Sequence, residues 1–140
     1  MATGKHKDIW YETGIPRQEA ELHECLEAGF PYQVYNKLAD ISGLSKKEVA
    51  EAAAIAPATL ARRSKAKRFN RDESDRLYRV ARVMDAATGF FGGDREAAMD
   101  WLTHPVLGLG DRRPVDMLKT SAEADSVVVL IERLKHGIIV

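Results

Sequence analysis

A run of positive side chains from Arg62 to Arg71 is the part of this 140-residue chain best suited to binding a charged ligand. The chain as a whole is neutral, with 21 basic and 21 acidic residues, whereas residues 62–82 carry nine basic and three acidic ones. A local basic block in a neutral chain is typical of a surface that contacts nucleic-acid phosphates. The alternative is that this run is a solvated loop, but the residues that precede it favour nucleic-acid binding. Within the run lie six positive residues and no acid: Arg62, Arg63, Lys65, Lys67, Arg68 and Arg71.

The segment Leu44–Lys65, LSKKEVAEAAAIAPATLARRSK, has the spacing of two helices joined by a tight turn. Ala50 is the small residue at which the helices would meet, Ala54 the turn, Ile55 the apolar residue after it and Leu60 the inward anchor of the second helix. This pattern resembles the helix-turn-helix of the Xre and phage-repressor class, in which glycine is common at the position of Ala54. Together with the basic run, it predicts binding to double-stranded DNA.

The second helix of this motif has a predictable outward face. With Leu60 turned inward, a rotation of about 100° per residue points small and basic side chains away from the core. We expect Arg62 to recognise guanine and Ala61 to contact a thymine methyl group. Lys67, Arg68 and Arg71 suit phosphate contacts, and Arg63 fits a phosphate contact or an intramolecular salt bridge equally well. The predicted DNA-binding residues are Ala58, Thr59, Ala61, Arg62, Arg63, Lys65, Lys67, Arg68 and Arg71.

Capping signals predict that the whole chain is helical. A polar residue followed three positions later by glutamate marks a helix start, and Pro57 suits the first position of a helix because it lacks the N–H that would have no partner there. Val127–Val129 fits a strand by composition, but the cap before it and a glycine after it favour a helix. We therefore expect an all-α fold. The polar–glutamate pairs are Ser45 with Glu48, Asn70 with Glu73, and Thr120 with Glu123.

The C-terminal half carries a second recognisable arrangement, formed by Trp101, Leu102, Leu107, Gly108, Pro114, Asp116, Leu118, Thr120, Val127, Val128, Leu130 and Gly137. This arrangement resembles the C-terminal domain shared by Xre, MbcA and ParS-type antitoxins. With the helix-turn-helix before it, the resemblance covers about residues 30–140. It implies an antitoxin that neutralises a RES-domain toxin, an enzyme class that degrades NAD⁺, and that represses its own operon.

We accordingly divide the chain into three parts. Residues 1–30 form a helical extension and a candidate for dimerisation, residues 31–90 an Xre-like helix-turn-helix DNA-binding domain, and residues 91–140 a small helical toxin-binding domain. Repressors of this kind usually bind an inverted repeat as dimers, so we expect a homodimer on operator DNA. The candidate dimer surfaces are Ile9–Tyr11 and the acidic helix around Leu22–Leu26.

The last three residues, Ile138, Ile139 and Val140, are unusually apolar for a chain end, because a chain end normally frays in water. They would either dock on the protein's own core or insert into a partner, and the family resemblance favours insertion into the toxin's active site. Gly137 would let the chain turn into the cleft, and Lys135 and His136 would pair with acids at its rim. The predicted toxin-binding residues are Lys135, His136, Gly137, Ile138, Ile139 and Val140.

Composition and spacing argue against several other classes of protein. Cys25, the single cysteine, cannot form an internal disulfide. The apolar run Val127–Ile131 is far shorter than the roughly 20 residues of a membrane span, and the N-terminus lacks the apolar core of a signal peptide. We therefore expect a cytoplasmic protein that does not enter the membrane.

The four histidines lack metal-ligand spacing, and neither a P-loop nor a Gly-x-Ser-x-Gly elbow occurs, so we expect neither an enzyme nor a cofactor. The alternative function is a stand-alone Xre-type repressor whose C-terminal half responds to a ligand.

Overall fold

Helices make up most of residues 8–137, the part of the chain that the computed structural model describes. This confirms the predicted all-α class. The longest helix has 20 residues, and no helix in the described part is long and apolar enough to cross a membrane. Two short 3-10 turns, Leu107–Leu109 and Pro114–Met117, separate the last two helices. The α-helices are α1 (Ile9–Thr13), α2 (Glu19–Ala28), α3 (Gln33–Ser42), α4 (Lys46–Ala52), α5 (Pro57–Ala66), α6 (Arg71–Phe90), α7 (Arg95–Leu102) and α8 (Ser121–Lys135).

The helix starts follow the capping signals in the sequence. The Ser45 hydroxyl accepts the N–H of Glu48 at 3.1 Å at the start of α4. The Asn70 side chain accepts the N–H of Glu73 at 2.8 Å at the start of α6, and the Glu73 carboxylate accepts the Asn70 N–H at 2.9 Å. Both are complete capping boxes, and Pro57 stands at the start of α5. The amide donors that a helix start leaves without partners are thus bonded locally.

Helix α6 runs through the centre of the core and packs against α1, α2, α3, α7 and α8. Both halves of the chain contribute to one cluster of buried side chains. Ile9 of α1 belongs to that cluster, and the ring of Trp10 lies 5.7 Å from that of Tyr78 on α6. Within the candidate dimer segment Ile9–Tyr11, only Tyr11 is therefore largely exposed. The apolar residues that follow helical spacing along α6 are all buried: Leu77, Val80, Ala81, Met84 and Ala87.

Candidate nucleic-acid interface

The turn between α4 and α5 has the left-handed backbone that the helix-turn-helix requires. Ala54 has φ +55°, and the next amide, of Ile55, donates to the carbonyl of Ala50 at 2.9 Å. An alanine in this conformation costs about 1–2 kcal/mol relative to the right-handed one. The Arg76 guanidinium on α6 donates to the Ala53 carbonyl at 2.7 Å and holds the turn in place. Sequence reasoning missed Arg76, because nothing in local spacing connects it with residue 53.

Helix α5 is attached to the rest of the fold by few side chains, and none of its residues is fully buried. Leu60 is half-buried and packs against the core, as expected of the inward anchor. Arg63 turns toward α6, where its guanidinium donates to the two carboxylate oxygens of Glu73 at 2.7 and 3.0 Å. Of the two alternatives for Arg63, the structure contains the intramolecular salt bridge. The remaining surface of α5 is left to face outward.

The surroundings of Glu73 in the folded protein favour its ionised form. Burial of the carboxyl, whose side chain is only 7% exposed, opposes ionisation. The hydrogen bonds from Arg63 and from the backbone of Asn70, with the charges of Arg63 and Arg76, outweigh burial and hold the pKa of Glu73 below its ordinary value. Glu73 thus caps α6 and anchors α5 at once, a double role that its capping position alone does not reveal.

Exchanging Glu73 for glutamine should lower the free energy of unfolding by about 1–3 kcal/mol, because the half-buried guanidinium of Arg63 loses its charged partner. Since the folded pKa of Glu73 lies below its unfolded value, this contribution is complete above the unfolded pKa and is lost as the pH falls through the folded pKa. Urea unfolding at neutral and acidic pH measures both effects. The variant should therefore lose less stability on acidification than the parent protein.

The matched control for Glu73→Gln is Asp116→Asn, which removes an exposed ion pair with Arg113. Such a pair contributes about 0–1 kcal/mol, so this variant should unfold close to the parent protein at neutral pH. If the two variants lose equal stability there, the pair between Arg63 and Glu73 does not anchor α5.

The C-terminal end of α5 is fixed by pairing with the segment before α3. Lys67 takes a left-handed conformation with φ +64°, and its carbonyl accepts the amide of Tyr32 at 3.0 Å. The amide of Phe69 donates to the carbonyl of Phe30 at 2.9 Å. The Arg68 guanidinium donates to the Gly29 carbonyl. The loop after α5 is thereby held against the first part of the chain.

The positively charged residues predicted to bind DNA fall into two groups, those without and those with a partner in the described part of the chain. Arg62, Lys65 and Lys67 are exposed and form no ion pair with any residue in the range 8–137. Arg68 is exposed but donates to backbone, and Arg71 pairs with Glu27 at 3.1 Å. Of the uncharged residues, Ala58 and Ala61 are exposed and Thr59 is half-buried. The outward face of α5 therefore carries small side chains beside positive ones, an arrangement that lets a helix approach base edges in a major groove.

The comparisons with known proteins match both halves of the chain. Residues 21–82 match the antitoxin Xre-like helix-turn-helix domain, and residues 86–137 match the antitoxin Xre/MbcA/ParS C-terminal toxin-binding domain. A Yersinia enterocolitica protein named antitoxin Xre is 37% identical over 136 residues, which cover 96% of this chain and 92% of the relative. The chain belongs to the Xre antitoxin family. A second antitoxin Xre, from Photorhabdus laumondii, is 35% identical over 133 residues, 94% of this chain and 90% of the relative.

In this Xre-family chain, the end of the toxin-binding domain is well exposed. Lys135 and His136 extend into solvent, with their side-chain nitrogens 3.8 and 3.9 Å from the carboxylate of Glu132. Gly137 follows with φ +73°, so the backbone leaves the helical path there. The remaining predicted toxin-binding residues, Ile138, Ile139 and Val140, lie outside the described residues.

Proposed function

We propose that this chain neutralises a RES-domain toxin that degrades NAD⁺ and represses its own operon through the helix-turn-helix. The carrying observation is the outward face of α5, whose Arg62 and Lys65 have no ion-pair partner among residues 8–137. This face belongs to a chain whose other half matches a toxin-binding domain. On this proposal the protein acts by binding rather than catalysis, in the cytoplasm where the operator DNA lies.

In the proposed DNA complex, α5 enters the major groove. Arg62 has two parallel N–H donors for the O6 and N7 atoms of guanine. Lys67, in the loop that the segment before α3 holds in place, contacts a phosphate and fixes the register. One such helix reads only a few base pairs, so we propose that a homodimer binds an inverted repeat.

The test of the DNA-binding proposal is Arg62→Ala. It should weaken operator binding by about 1–3 kcal/mol and relax the preference at one base pair, because a bidentate contact to guanine is lost. Gel-shift titrations against the operator and against single-base variants measure both changes. Unchanged operator affinity would overturn the assignment of α5 as the recognition helix.

Lys67→Ala is the matched comparison, because it also removes one exposed positive charge from this surface. A phosphate contact carries no sequence information, so this variant should bind all DNA sequences more weakly. Its affinity should also depend less steeply on salt, with a log–log slope smaller by about one. Titrations at two salt concentrations measure this slope. If Lys67→Ala instead relaxed the preference at a single base pair, as expected for Arg62→Ala, Lys67 would not act as a phosphate contact.

For the toxin, we propose that the C-terminal segment occupies the active site and excludes NAD⁺. Ile138, Ile139 and Val140 would fill an apolar part of the cleft, and Lys135 and His136 would pair with acids at its rim. The exposure of Lys135 and His136, together with the left-handed Gly137 beyond α8, supports this proposal. The RES class of the toxin is supported by the family resemblance of Trp101–Gly137.

A further inference from the structure

A groove on the C-terminal half is bordered by apolar side chains that the protein leaves in water. Within residues 8–137, three large hydrophobic side chains are exposed: Tyr11, Leu107 and Val129. Val129, 47% exposed, lines a groove of about 340 Å³ between α8 and the 3-10 turn Leu107–Leu109. Leu107, 80% exposed, lies in that same turn. Val129 thus lines the groove itself, and Leu107 belongs to the turn whose Gly108 and Leu109 form the facing wall.

The loop that presents Leu107 is tightly bonded. The Val106 carbonyl accepts the amide of Asp111 at 3.0 Å, and the Leu107 carbonyl accepts the amide of Gly110 at 3.0 Å. The Arg112 guanidinium donates to the Glu123 carboxylate on α8 at 2.7 Å. The backbone of this loop is therefore already ordered. Binding of the exposed Leu107 side chain to a partner costs little further backbone entropy.

We propose that this groove is the surface on which the toxin docks, and that the toxin contributes an apolar segment with an acidic residue beside it. The inference rests on the proposed function and adds the docking site to it. Arg133 at the edge of the groove is exposed and forms no ion pair with residues 8–137, so a partner's carboxylate can pair with it. The carboxylate of Asp125, which also lines the groove, already lies 3.8 Å from the guanidinium of Arg82.

The position of the groove agrees with a second contact through the C-terminal segment. Val129 precedes Lys135, the last residue of α8, by six residues, which corresponds to about 9 Å along a helix. A single toxin surface can therefore contact both the groove and the C-terminal end of α8. The groove is lined by α8 and the loop before it and contains no residue of α5, so a docked toxin leaves the DNA-binding face accessible.

The test uses Leu107→Glu and Val129→Glu, with Gln33→Glu, which adds the same charge at an exposed position on α3, as the control. Isothermal titration of each full-length variant with purified toxin should show at least a tenfold loss of affinity for the first two and none for the control. Because all three side chains are exposed, the midpoints of thermal unfolding should remain near that of the parent protein. Arg133→Ala should also bind the toxin more weakly, most clearly at low salt, because it loses a charge–charge contact.

The outcomes separate this inference from the function on which it rests. If the parent protein does not bind the toxin, the proposed function itself fails. If the parent binds and the two groove variants bind equally well, the groove is not the docking site. If light scattering shows that those variants lose self-association while toxin affinity is unchanged, the groove is an interface between copies of this chain, which also overturns the proposal.

Discussion

Replacing Gly29 with alanine is expected to destabilise the fold by about 2–5 kcal/mol, combining the cost of a left-handed residue with that of an overpacked contact. Gly29 has φ +88°, and a β-carbon added there would lie 2.0 Å from the carbonyl oxygen of Phe69. That oxygen is backbone and cannot rotate away as a flexible side chain would. The two segments are also held together by the amide of Phe69 on the carbonyl of Phe30. Urea unfolding measures the loss.

Gly14→Ala is the matched control, because Gly14 has a similar φ of +78° but nothing within 4 Å of an added β-carbon. It carries the backbone strain without the collision and should cost only about 1 kcal/mol. The difference between the two variants therefore reports the contact between Gly29 and Phe69. Equal losses would mean that residues 29 and 69 do not approach each other this closely in solution.

The Gly29 variant should also bind operator DNA more weakly in its folded fraction. The same pairing fixes Lys67, whose carbonyl accepts the amide of Tyr32 at 3.0 Å, and Lys67 is a proposed phosphate contact. A shift of the loop moves that charge relative to α5. Gel shifts below the unfolding temperature measure this effect, and Gly14→Ala should leave the affinity unchanged.

Local features of this fold could be predicted from the sequence because their causes lie within a few residues of each other. The capping boxes at Ser45 and Asn70 need only a side chain and the amide three positions on. The left-handed Ala54 follows from the spacing between the helices of the motif. The buried stripe of α6 follows from helical periodicity alone.

The remaining features depend on residues far apart in the chain. Arg63 lies close enough to the edge of the outward face that spacing allows two orientations, and Glu73, ten residues on, decides between them. Arg76 bonds the helix-turn-helix from 23 residues away. The carbonyl oxygen that a β-carbon at Gly29 would strike belongs to residue 69. A single sequence contains no periodicity that reports such pairs, so the attachment of α5 becomes visible only in three dimensions.

Deleting residues 138–140 is expected to abolish inhibition of the toxin while DNA binding survives. Under the proposed mechanism, Ile138, Ile139 and Val140 fill an apolar part of the NAD⁺ cleft. Burying each such side chain contributes roughly 1.5–3 kcal/mol before ordering costs, so the loss should be large. The proposed DNA contacts lie on α5 and the loop after it, and the deletion removes none of them.

The measurement is NAD⁺ loss catalysed by purified toxin in the presence of parent or truncated antitoxin. Circular dichroism and thermal unfolding come first, because a tail docked on the protein's own core would lower stability when removed. Gel shifts with the truncated protein should match the parent. In the reciprocal control, Arg62→Ala should inhibit the toxin fully while it binds DNA weakly. Loss of protection in folded Arg62→Ala would show that the two activities share a surface.

Docking and inhibition make separable predictions for the truncated protein. If the toxin docks on the groove beside Val129 and the tail only blocks the cleft, the truncated antitoxin should still bind the toxin but leave NAD⁺ consumption unchanged. Leu107→Glu should instead shift inhibition to higher antitoxin concentration and retain full inhibition at saturation, because its tail is intact. If the truncated protein inhibits as well as the parent, the tail does not block the active site, and inhibition must come from the docked face of α8.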